Sequence, residues 1–396
     1  MAISENPTLI VGGGFGGLTA ALALGQRGIP VQVFEGAPEF GAIGYGIQFG
    51  PNIFHVFDRL GISDEVMSVG DEPNSLLMLD ALNGDQVIHI PTGDSFRARF
   101  KQPYLIVHRI DLHTVLLDAC KKIDAVQLEP DAMVTGYSTA GDQVSVTTED
   151  GRSFTGRALI GADGIRSATR AQLIDDGEPV PNGYVAHRTI VPMESMKVDV
   201  PRDVVILWGG PGFHIVHYPL RHGTEFNIVA VLRSENTAER GNVDAYRAEL
   251  EEATKNATPE IKALIAMMDL EQRFMIGDRD PIRHWHKGRV GLLGDAAHPT
   301  LQSLAQGACM AIEDGLHLAD LIHAKNHDYD AAFTQFTSDR YLRTARVTLE
   351  SRYIWQFYHG DGIEREVQYQ IYKDRNEADA FECVSWLYDG FQFDGG

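Results

Sequence analysis

The stretch TLIVGGGFGGLTAALALGQRG at residues 8–28 decides the fold of this chain. A short apolar run comes first, a glycine-rich turn follows it, and a segment rich in alanine and leucine comes last. This order is typical of a strand, a tight turn and a helix. The next run, VQVFE at residues 31–35, alternates apolar and polar residues and ends on the carboxylate of Glu35. Together the two stretches predict the βαβ start of a Rossmann-like domain.

The glycine-rich turn also predicts a ligand. Gly12, Gly14 and Gly17 form a G-x-G-x-x-G pattern, which lets the backbone approach a pyrophosphate at the N-terminus of the helix. Glu35 closes the second strand, where a carboxylate accepts hydrogen bonds from an adenosine ribose and repels a 2′-phosphate. The pattern therefore favours an unphosphorylated dinucleotide, NAD or FAD, over the alternative of a glycine-rich turn with a solvated glutamate.

Composition argues against several classes of partner. The chain has 34 Lys and Arg against 55 Asp and Glu, which gives a formal net charge of −21. Nucleic acids and acidic membranes recruit clustered basic residues, so neither is expected as a partner. Cys120, Cys309 and Cys383 are far apart and odd in number, which predicts neither a disulfide framework nor a thiolate metal site. We expect a cytoplasmic location, with no secretory signal and no membrane-spanning segment.

Two later stretches point to one family. ALIGADGIRSATR at residues 158–170 and GRVGLLGDAAHPT at residues 288–300 place a DG motif and a GD motif after apolar strands. With the G-x-G-x-x-G turn, in this order, they resemble the class A flavin-dependent aromatic hydroxylases, the salicylate and p-hydroxybenzoate hydroxylase family. The stretches GYGIQFGPN, AHRTIVP, GFHIVHYPL and HPTLQSLAQGACMAIEDG resemble the 3-hydroxybenzoate 6-hydroxylases of that family most closely.

The resemblance implies an α/β fold with three parts. Strand-like peptides between residues 184 and 231 predict a separate antiparallel sheet, and residues 338–372 have helical spacing with many aromatic side chains. We expect a Rossmann-like FAD-binding domain of the GR2 type, an interleaved antiparallel-sheet substrate domain and a helical C-terminal tail. The expected FAD-binding domain comprises residues 1–73, 99–182 and 277–337, the substrate-binding domain 74–98 and 183–276, and the tail 338–396.

The resemblance also implies a set of FAD-binding residues. They are Gly12, Gly14, Phe15, Gly16, Gly17, Glu35, Gln48, Arg109, Asp163, Asp295, Gly307 and Ala308. Asp295 would bind the ribityl chain, and Arg109 would reach FAD from the start of a helix. A helix N-terminus near Gly307 would stabilise the reduced, anionic flavin. Helix capping or a surface salt bridge remains the alternative role for Asp163, Asp295 and Arg109.

The strand FHIVHYPL at residues 213–220 carries the candidate base. Alternation along a strand sends His214 and Tyr218 to one face and His217 to the other, so the two histidines cannot form a metal pair. A phenol has a pKa of about 10, and a positioned His214 could take its proton, an effect of about 10²- to 10⁴-fold on the rate. The alternative for His214 is an ordinary buried core histidine.

Four further positions complete the expected substrate site. The resemblance implies His214, Gln302 and Tyr218 as catalytic residues, and Asn74, Arg188, His214 and Gln302 as substrate-binding residues. Ordinary pocket lining remains the alternative for Tyr218, Gln302 and Asn74, and an outward salt bridge for Arg188. No metal site is predicted, because the pair His284 and His286 lacks an evident third ligand.

The resemblance implies an FAD-dependent monooxygenase that uses NADH and O₂ to hydroxylate a small phenolic acid through a flavin C(4a)-hydroperoxide. The expected substrate is 3-hydroxybenzoate, with 2,5-dihydroxybenzoate as product. Salicylate and 6-hydroxynicotinate remain alternative substrates, and a flavin-binding redox protein without hydroxylase activity remains an alternative class. The spacing of the four tryptophans excludes the W-x-W-x-I-P element of flavin-dependent halogenases.

Two features of the sequence leave local structure open. Ala305 stands where many family members have glycine, so the geometry of the turn after the GD motif is not settled by the resemblance. The aromatic tail at residues 341–372 could form a homodimer surface, cap the FAD domain or line an apolar channel.

Overall fold

A computed structural model of the protein describes residues 6–41 and 44–391. The described residues form nineteen strands and twelve α-helices. The strands are β1 (Thr8–Val11), β2 (Val31–Phe34), β3 (Gly46–Phe49), β4 (Gly70–Asp71), β5 (Ser75–Asp80), β6 (Gln86–Pro91), β7 (Leu105–His108), β8 (Val126–Glu129), β9 (Val134–Ala140), β10 (Gln143–Thr148), β11 (Ser153–Gly156), β12 (Ala158–Gly161), β13 (Val180–Pro192), β14 (Val204–Gly210), β15 (Phe213–Leu220), β16 (Glu225–Arg233), β17 (Phe274–Asp278), β18 (His286–Lys287) and β19 (Val290–Leu292). The helices are α1 (Phe15–Gln26), α2 (Phe54–Leu60), α3 (Ser63–Val69), α4 (Asp94–Phe100), α5 (Arg109–Lys121), α6 (Ala168–Ile174), α7 (Val243–Ala253), α8 (Pro259–Ala266), α9 (Gly307–Ala324), α10 (Tyr329–Tyr358), α11 (Gly362–Lys373) and α12 (Glu377–Tyr388).

The first sheet is the Rossmann-like one. Its strands have the order β18-β19-β12-β1-β2-β8, and all neighbours are parallel except β18 and β19. The apolar strand β1 is buried along its whole length between β12 and β2. Helix α1 then packs against α5 and α9. The predicted βαβ start is confirmed.

The turn between β1 and α1 requires glycine at two positions. Gly12 has a φ of +107°, and a Cβ there would collide with the carbonyl oxygen of Ala162. A Cβ on Gly17 would collide with the carbonyl oxygen of Gly12. A Cβ on Gly14 would instead meet no atom within 4 Å, so this part of the turn is open to a ligand. The turn thereby touches the DG motif and leaves the N-terminus of α1 accessible.

The second sheet has the strand order β17-β13-β16-β15-β14-β5-β6. Its neighbours are antiparallel except β14 and β5, which pair in parallel, so the predicted antiparallel sheet contains one parallel pair. Phe213 and Ile215 of β15 pack against a core that includes Tyr246 of α7 and Ile261 of α8. The strands come from residues 75–91 and 180–278, while the exact domain boundaries stay a prediction.

Three helices at the C-terminal end cover both sheets. Helix α10 begins at Tyr329, before the predicted start of the tail, and continues without a break to Tyr358. Helix α12 returns to α4, where Phe381 and Tyr388 contact the ring of Phe100 at centroid distances of 5.6 and 5.5 Å. Within the described residues, no helix combines the length and the apolar character needed to cross a membrane.

Candidate active site

A cavity of about 660 Å³ lies between the second sheet, the segment after the GD motif and the C-terminal helices. The sheet contributes Leu207, His214, Val216 and Tyr218 to its wall, and the GD segment contributes Asp295, Gln302, Gly307 and Ala308. Helices α10 and α12 contribute Tyr353, Tyr358, Cys383 and Tyr388. Among the roles left open for the tail, the structure shows that it forms one wall of this cavity.

Strand β15 places its two histidines on opposite faces. His214 lines the cavity together with Tyr218. His217 points the other way, where its Nε2 accepts a hydrogen bond of 2.9 Å from Nε1 of Trp208. This bond requires a lone pair on Nε2, so it favours the neutral form of His217. Burial acts in the same direction and lowers the pKa of His217 to about 3. His217 therefore belongs to the core, whereas His214 belongs to the cavity.

His214 is a buried, neutral histidine at the cavity wall. Only 1% of its surface is exposed, and its Nδ1 lies 2.8 Å from Nε2 of His359. Burial, reinforced by the nearby His359, lowers the pKa of His214 well below its ordinary value. The imidazole is therefore neutral at neutral pH, and Nε2 is the ring nitrogen left to face the cavity. Sequence reasoning missed His359, since nothing in a lone histidine at the end of an aromatic helix distinguishes it.

Arg188 and Gln302 form a polar pair in the same cavity. Nη2 of Arg188 donates a hydrogen bond of 2.7 Å to Oε1 of Gln302. This contact orients the amide, so that the NH₂ group of Gln302 is left to donate to a ligand. Burial lowers the pKa of Arg188, whose guanidinium also lies 5.9 Å from the ring centre of Tyr45 and 5.7 Å from that of Phe274. The outward salt bridge considered for Arg188 is not what the structure shows.

Tyr218 lies beside a short chain of polar groups. The hydroxyl of Tyr104 donates a hydrogen bond of 2.7 Å to Oε1 of Gln48, and both residues line the cavity. Burial raises the pKa of Tyr218, against the lowering effects of Arg188 and of a hydrogen bond with Gln48. Its phenol is therefore neutral and serves as a donor or acceptor, not as a base. Gln48, expected at the flavin, thus lies within reach of the substrate region as well.

The expected FAD-binding part of the site contains a carboxylate and a guanidinium that form no hydrogen bond to the described protein. Neither the Asp295 carboxylate nor the Arg109 guanidinium forms a hydrogen bond within residues 6–41 and 44–391. The surrounding protein desolvates both groups, which raises the pKa of Asp295 and lowers that of Arg109, while the attraction between the two groups opposes both shifts. Arg109 begins α5 and lies 5.4 Å from the ring centre of Phe15, the first residue of α1. Asp295 is exposed at the cleft and Arg109 is partly buried, so both groups are accessible to a ligand.

These features fit FAD. Helix α1 has no side-chain cap, so its first N–H groups are free to bind a pyrophosphate beside the open surface at Gly14. Asp295 could accept hydrogen bonds from the ribityl hydroxyls, and Gly307 begins α9 at the cavity wall. Ala305, just before α9, has a φ of +53° and a ψ of 35°. The position therefore has the left-handed backbone that favours glycine, and Ala305 retains this geometry at a cost of about 1–2 kcal/mol.

Glu35 and Asp163 both accept hydrogen bonds from nearby groups of the protein. Glu35 accepts hydrogen bonds from the N–H groups of Gly13 and Ala37 at 3.0 and 2.9 Å, which places its carboxylate at the edge of the glycine turn. Asp163 accepts from the hydroxyl of Ser167 and from the N–H and hydroxyl of Thr169, so both of its oxygens support the start of α6. These contacts match the capping alternative, while a contact of Asp163 with FAD stays a prediction.

Asn74 lies on the protein surface. Its Nδ2 donates a hydrogen bond of 2.7 Å to Oδ2 of Asp203, and the residue does not line the cavity. Asn74 therefore lies outside this cavity, and its contact with the substrate stays a prediction. Strand β5, which begins at the next residue, reaches the cavity only through Leu76, Leu77 and Met78.

A buried charge network ties the GD motif to the C-terminal helices. Oδ2 of Asp314 accepts hydrogen bonds from the N–H of Gly294 and from Nε2 of His298, and Oδ1 accepts from Nε of Arg340 at 2.7 Å. Arg340 also pairs with Glu313. Burial opposes the ionisation of Glu313, yet Arg343 and Arg340 outweigh it and lower the pKa of this carboxyl to about 2. The acidic pair in helix α9 and the arginines of α10 were a signal that sequence reasoning did not use.

The comparisons with known proteins agree with this geometry. Residues 5–350 match the protein family described as FAD binding domain. The 3-hydroxybenzoate 6-hydroxylase of Polaromonas naphthalenivorans is 40% identical over 385 residues, which cover 97% of this chain and 96% of the relative. The 3-hydroxybenzoate 6-hydroxylase of Klebsiella oxytoca is 37% identical over 96% of both chains.

Solved structures share the fold. Klebsiella pneumoniae HpxO complexed with FAD and uric acid is similar with a TM-score of 0.84 and 28% identity, covering 96% of this chain and 97% of that one. A salicylate hydroxylase substrate complex has a TM-score of 0.79 at 23% identity and covers 98% of this chain and 96% of that one. Matched over most of its length by the FAD binding domain family and by these hydroxylases, the chain belongs to that family and is an FAD-dependent aromatic hydroxylase.

Proposed function

We propose that the protein uses NADH and O₂ to convert 3-hydroxybenzoate into 2,5-dihydroxybenzoate. The observation that carries the proposal is the neutral His214, which lines the same cavity as the Arg188–Gln302 pair. A base and a cation–amide pair in one cavity suit a ligand that has both a phenol and a carboxylate. Relatives at 37–40% identity carry the name 3-hydroxybenzoate 6-hydroxylase, which supports this substrate over the alternatives.

The overall reaction balances with one reductant. 3-Hydroxybenzoate, O₂, NADH and a proton give 2,5-dihydroxybenzoate, water and NAD⁺. Bound FAD supplies the redox chemistry, in which NADH provides two electrons and one oxygen atom of O₂ is made available for transfer. Phenol ionisation makes the ring carbon para to the hydroxyl more electron-rich, and oxygen insertion at this carbon gives the 2,5-product.

The protein's own residues prepare the substrate. Nε2 of His214 takes the phenol proton, so that the ring reacts as the phenolate. The NH₂ group of Gln302 and the hydroxyl of Tyr218 hydrogen-bond the substrate and fix its orientation, and Arg188 offers charge to the carboxylate. Tyr358 of α10 and Tyr388 of α12 cover the cavity, which limits the access of water.

Product analysis tests the function directly. The holoenzyme is incubated with NADH and, in separate reactions, with 3-hydroxybenzoate, salicylate or 6-hydroxynicotinate. We expect 2,5-dihydroxybenzoate from the first acid, in a ratio of product to NADH close to one. A hydroxylated product from one of the other acids alone would replace the proposed substrate. NADH oxidation that responds to none of the acids would instead favour a flavin-binding redox protein.

A His214→Gln variant tests the base. Loss of proton acceptance should lower the hydroxylation rate by about 10²-fold or more, because general base catalysis contributes about 10²- to 10⁴-fold. FAD content and the rate of flavin reduction by NADH should stay close to wild type, since His214 lies on the sheet wall of the cavity. Hydroxylation at the wild-type rate across the pH range would refute the assignment.

A homodimer and a cytoplasmic location stay predictions from the sequence.

A further inference from the structure

The two imidazoles of His214 and His359 share one hydrogen bond deep in the fold. His214 belongs to β15, and His359 follows the last residue of α10. Nδ1 of His214 lies 2.8 Å from Nε2 of His359, with ring centroids 4.9 Å apart. A hydrogen bond between two neutral imidazoles needs one proton and one lone pair, so the tautomer of one ring sets the tautomer of the other.

His359 is held firmly in place. Its ring packs on that of Tyr184 at a centroid distance of 4.4 Å and on that of Trp355 at 4.9 Å. Its backbone carbonyl accepts a hydrogen bond of 3.2 Å from the N–H of Gly212, in the turn between β14 and β15. Contacts from α10, β13 and the turn before β15 therefore fix the ring that faces His214.

The base assignment itself fixes the hydrogen: a lone pair on Nε2 of neutral His214 leaves the hydrogen on Nδ1, which lies 2.8 Å from Nε2 of His359. Burial lowers the pKa of His359 to about 4, so its ring is neutral and Nε2 can accept this hydrogen bond. The backbone of Trp355, one helical turn earlier, favours the protonated form of His359, although Nδ1 of His359 makes no hydrogen bond within the described residues.

We propose that His359 is a positioning residue, which holds the proton of His214 on Nδ1 and so presents the Nε2 lone pair of His214 to the substrate phenol. The proposal rests on the assignment of His214 as the base. The phenol O–H bond breaks as Nε2–H of His214 forms, and the imidazolium then donates from Nδ1 to His359. The same proton returns to the product when it leaves, so no other reactant is consumed.

The C-terminal end of α10 favours positive charge close to His359. His359 lies at the helix C-terminus, where the negative end of the helix dipole favours positive charge on a nearby imidazole. The other titratable groups that face the pair are Tyr184 from β13, with Arg233 close to it, and Tyr358 from α10. Burial raises the pKa of both tyrosines, so neither ionises in the range where the phenol does. A charged His359 would oppose charge on His214, but burial keeps His359 neutral, so its Nε2 is the group that accepts directly from the charged ring.

The test measures the pH at which the bound phenol ionises. The long-wavelength absorbance of the phenolate is followed for 3-hydroxybenzoate bound to the oxidised holoenzyme. His359→Phe keeps a ring between Tyr184 and Trp355 but removes the acceptor. We expect its midpoint to rise by about one to two pH units, which is a 10- to 100-fold loss, because a hydrogen bond to a charged group is removed.

Three variants make the result specific. His359→Gln can place Oε1 near the position of Nε2 and should restore the midpoint to within about 3-fold of wild type. His359→Asn is too short to do so and should match His359→Phe, which also keeps the test available if the phenylalanine variant is unstable. Tyr184→Phe keeps the ring that packs on His359 and should leave the midpoint unchanged.

The outcomes separate this inference from the proposed function. A wild-type midpoint in both His359→Phe and His359→Asn would overturn the role of His359. If His214→Gln shifts the midpoint while those two variants do not, the base assignment stands and only the role of His359 fails. If His214→Gln also leaves the midpoint unchanged, the base assignment itself is wrong.

Discussion

Replacing Arg340 by methionine removes the cation at the centre of the buried charge network. The side chain of Arg340 has no exposed surface, and its guanidinium contacts Glu313 and Asp314 at 2.7 Å each. Removing one partner of a buried ion pair typically costs about 3–5 kcal/mol, because the remaining charge is left buried without compensation. Arg343 still pairs with Glu313 and His298 with Asp314, so we expect a loss close to 3 kcal/mol in the free energy of unfolding.

The loss should depend on pH in a defined direction. The pKa of Glu313 is about 2 in the folded protein, where Arg343 and Arg340 outweigh the effect of burial, against about 4.3 in an unfolded chain. A lowered folded pKa gives stability that is present above pH 4 to 5 and is lost as the pH falls towards 2. Removing Arg340 reduces this contribution. The difference between wild type and variant should therefore be largest above pH 5 and shrink towards pH 3.

Urea unfolding of the apoprotein, followed by tryptophan fluorescence at several pH values, measures this difference without a contribution from bound FAD. Arg346→Met is the matched control, because Arg346 lies on the same helix, is half exposed and pairs with Glu350 at the surface. It should lose less than about 1 kcal/mol. A loss below about 1 kcal/mol for Arg340→Met, or a loss that is the same at pH 7 and pH 3, would refute the reasoning.

Four further substitutions test single positions. Ala305→Gly should raise the free energy of unfolding by about 0.5–1 kcal/mol in urea, since relief of the left-handed backbone outweighs the added freedom of the unfolded chain; a loss would mean that the turn is not strained. Asp163→Ala should lower the free energy of unfolding by about 1–2 kcal/mol while FAD content stays unchanged, whereas loss of FAD would point to a cofactor role. Arg188→Met should raise KM for the phenolic acid about 10- to 100-fold in steady-state assays, because it removes a charged partner. Asn74→Ala, outside the cavity, should leave KM unchanged, and an equal effect of both would contradict the assignment of Arg188.

Sequence patterns predicted the parts of the fold whose causes are local. The glycine turn needs Gly12 because of a backbone angle and a collision, and both follow from a motif a few residues long. The alternation in β15 placed His214 and His217 on opposite faces for the same reason. In these segments the sterics of one strand or one turn decide the structure, so a single stretch of sequence is sufficient.

Features that join distant segments could not be predicted in this way. His359 is 145 positions from His214 along the chain, and neither neighbourhood indicates the other. Strand β11 pairs with β10 in a hairpin and ends at Gly156, and β12 of the Rossmann-like sheet begins at Ala158, so neighbouring residues belong to two different sheets. Asp163 follows a strand in a motif associated with the cofactor, yet its oxygens are used by Ser167 and Thr169 a few residues later.

The ligands proposed for this cavity are all anions, whereas the protein carries a formal net charge of −21. The long-range field therefore opposes their approach, although salt screens it beyond about 8 Å at physiological ionic strength. Binding must depend on cations inside this range. Arg188 lines the cavity, and Arg109 lies close enough to lower the pKa of Arg188, after the larger effect of burial. Burial also lowers the pKa of Arg109, so both guanidinium groups are in surroundings that disfavour their charge. An anion that enters the cavity compensates for the desolvation of both guanidinium groups and offsets their mutual repulsion, so an acidic protein could hold FAD and the proposed phenolic acid side by side.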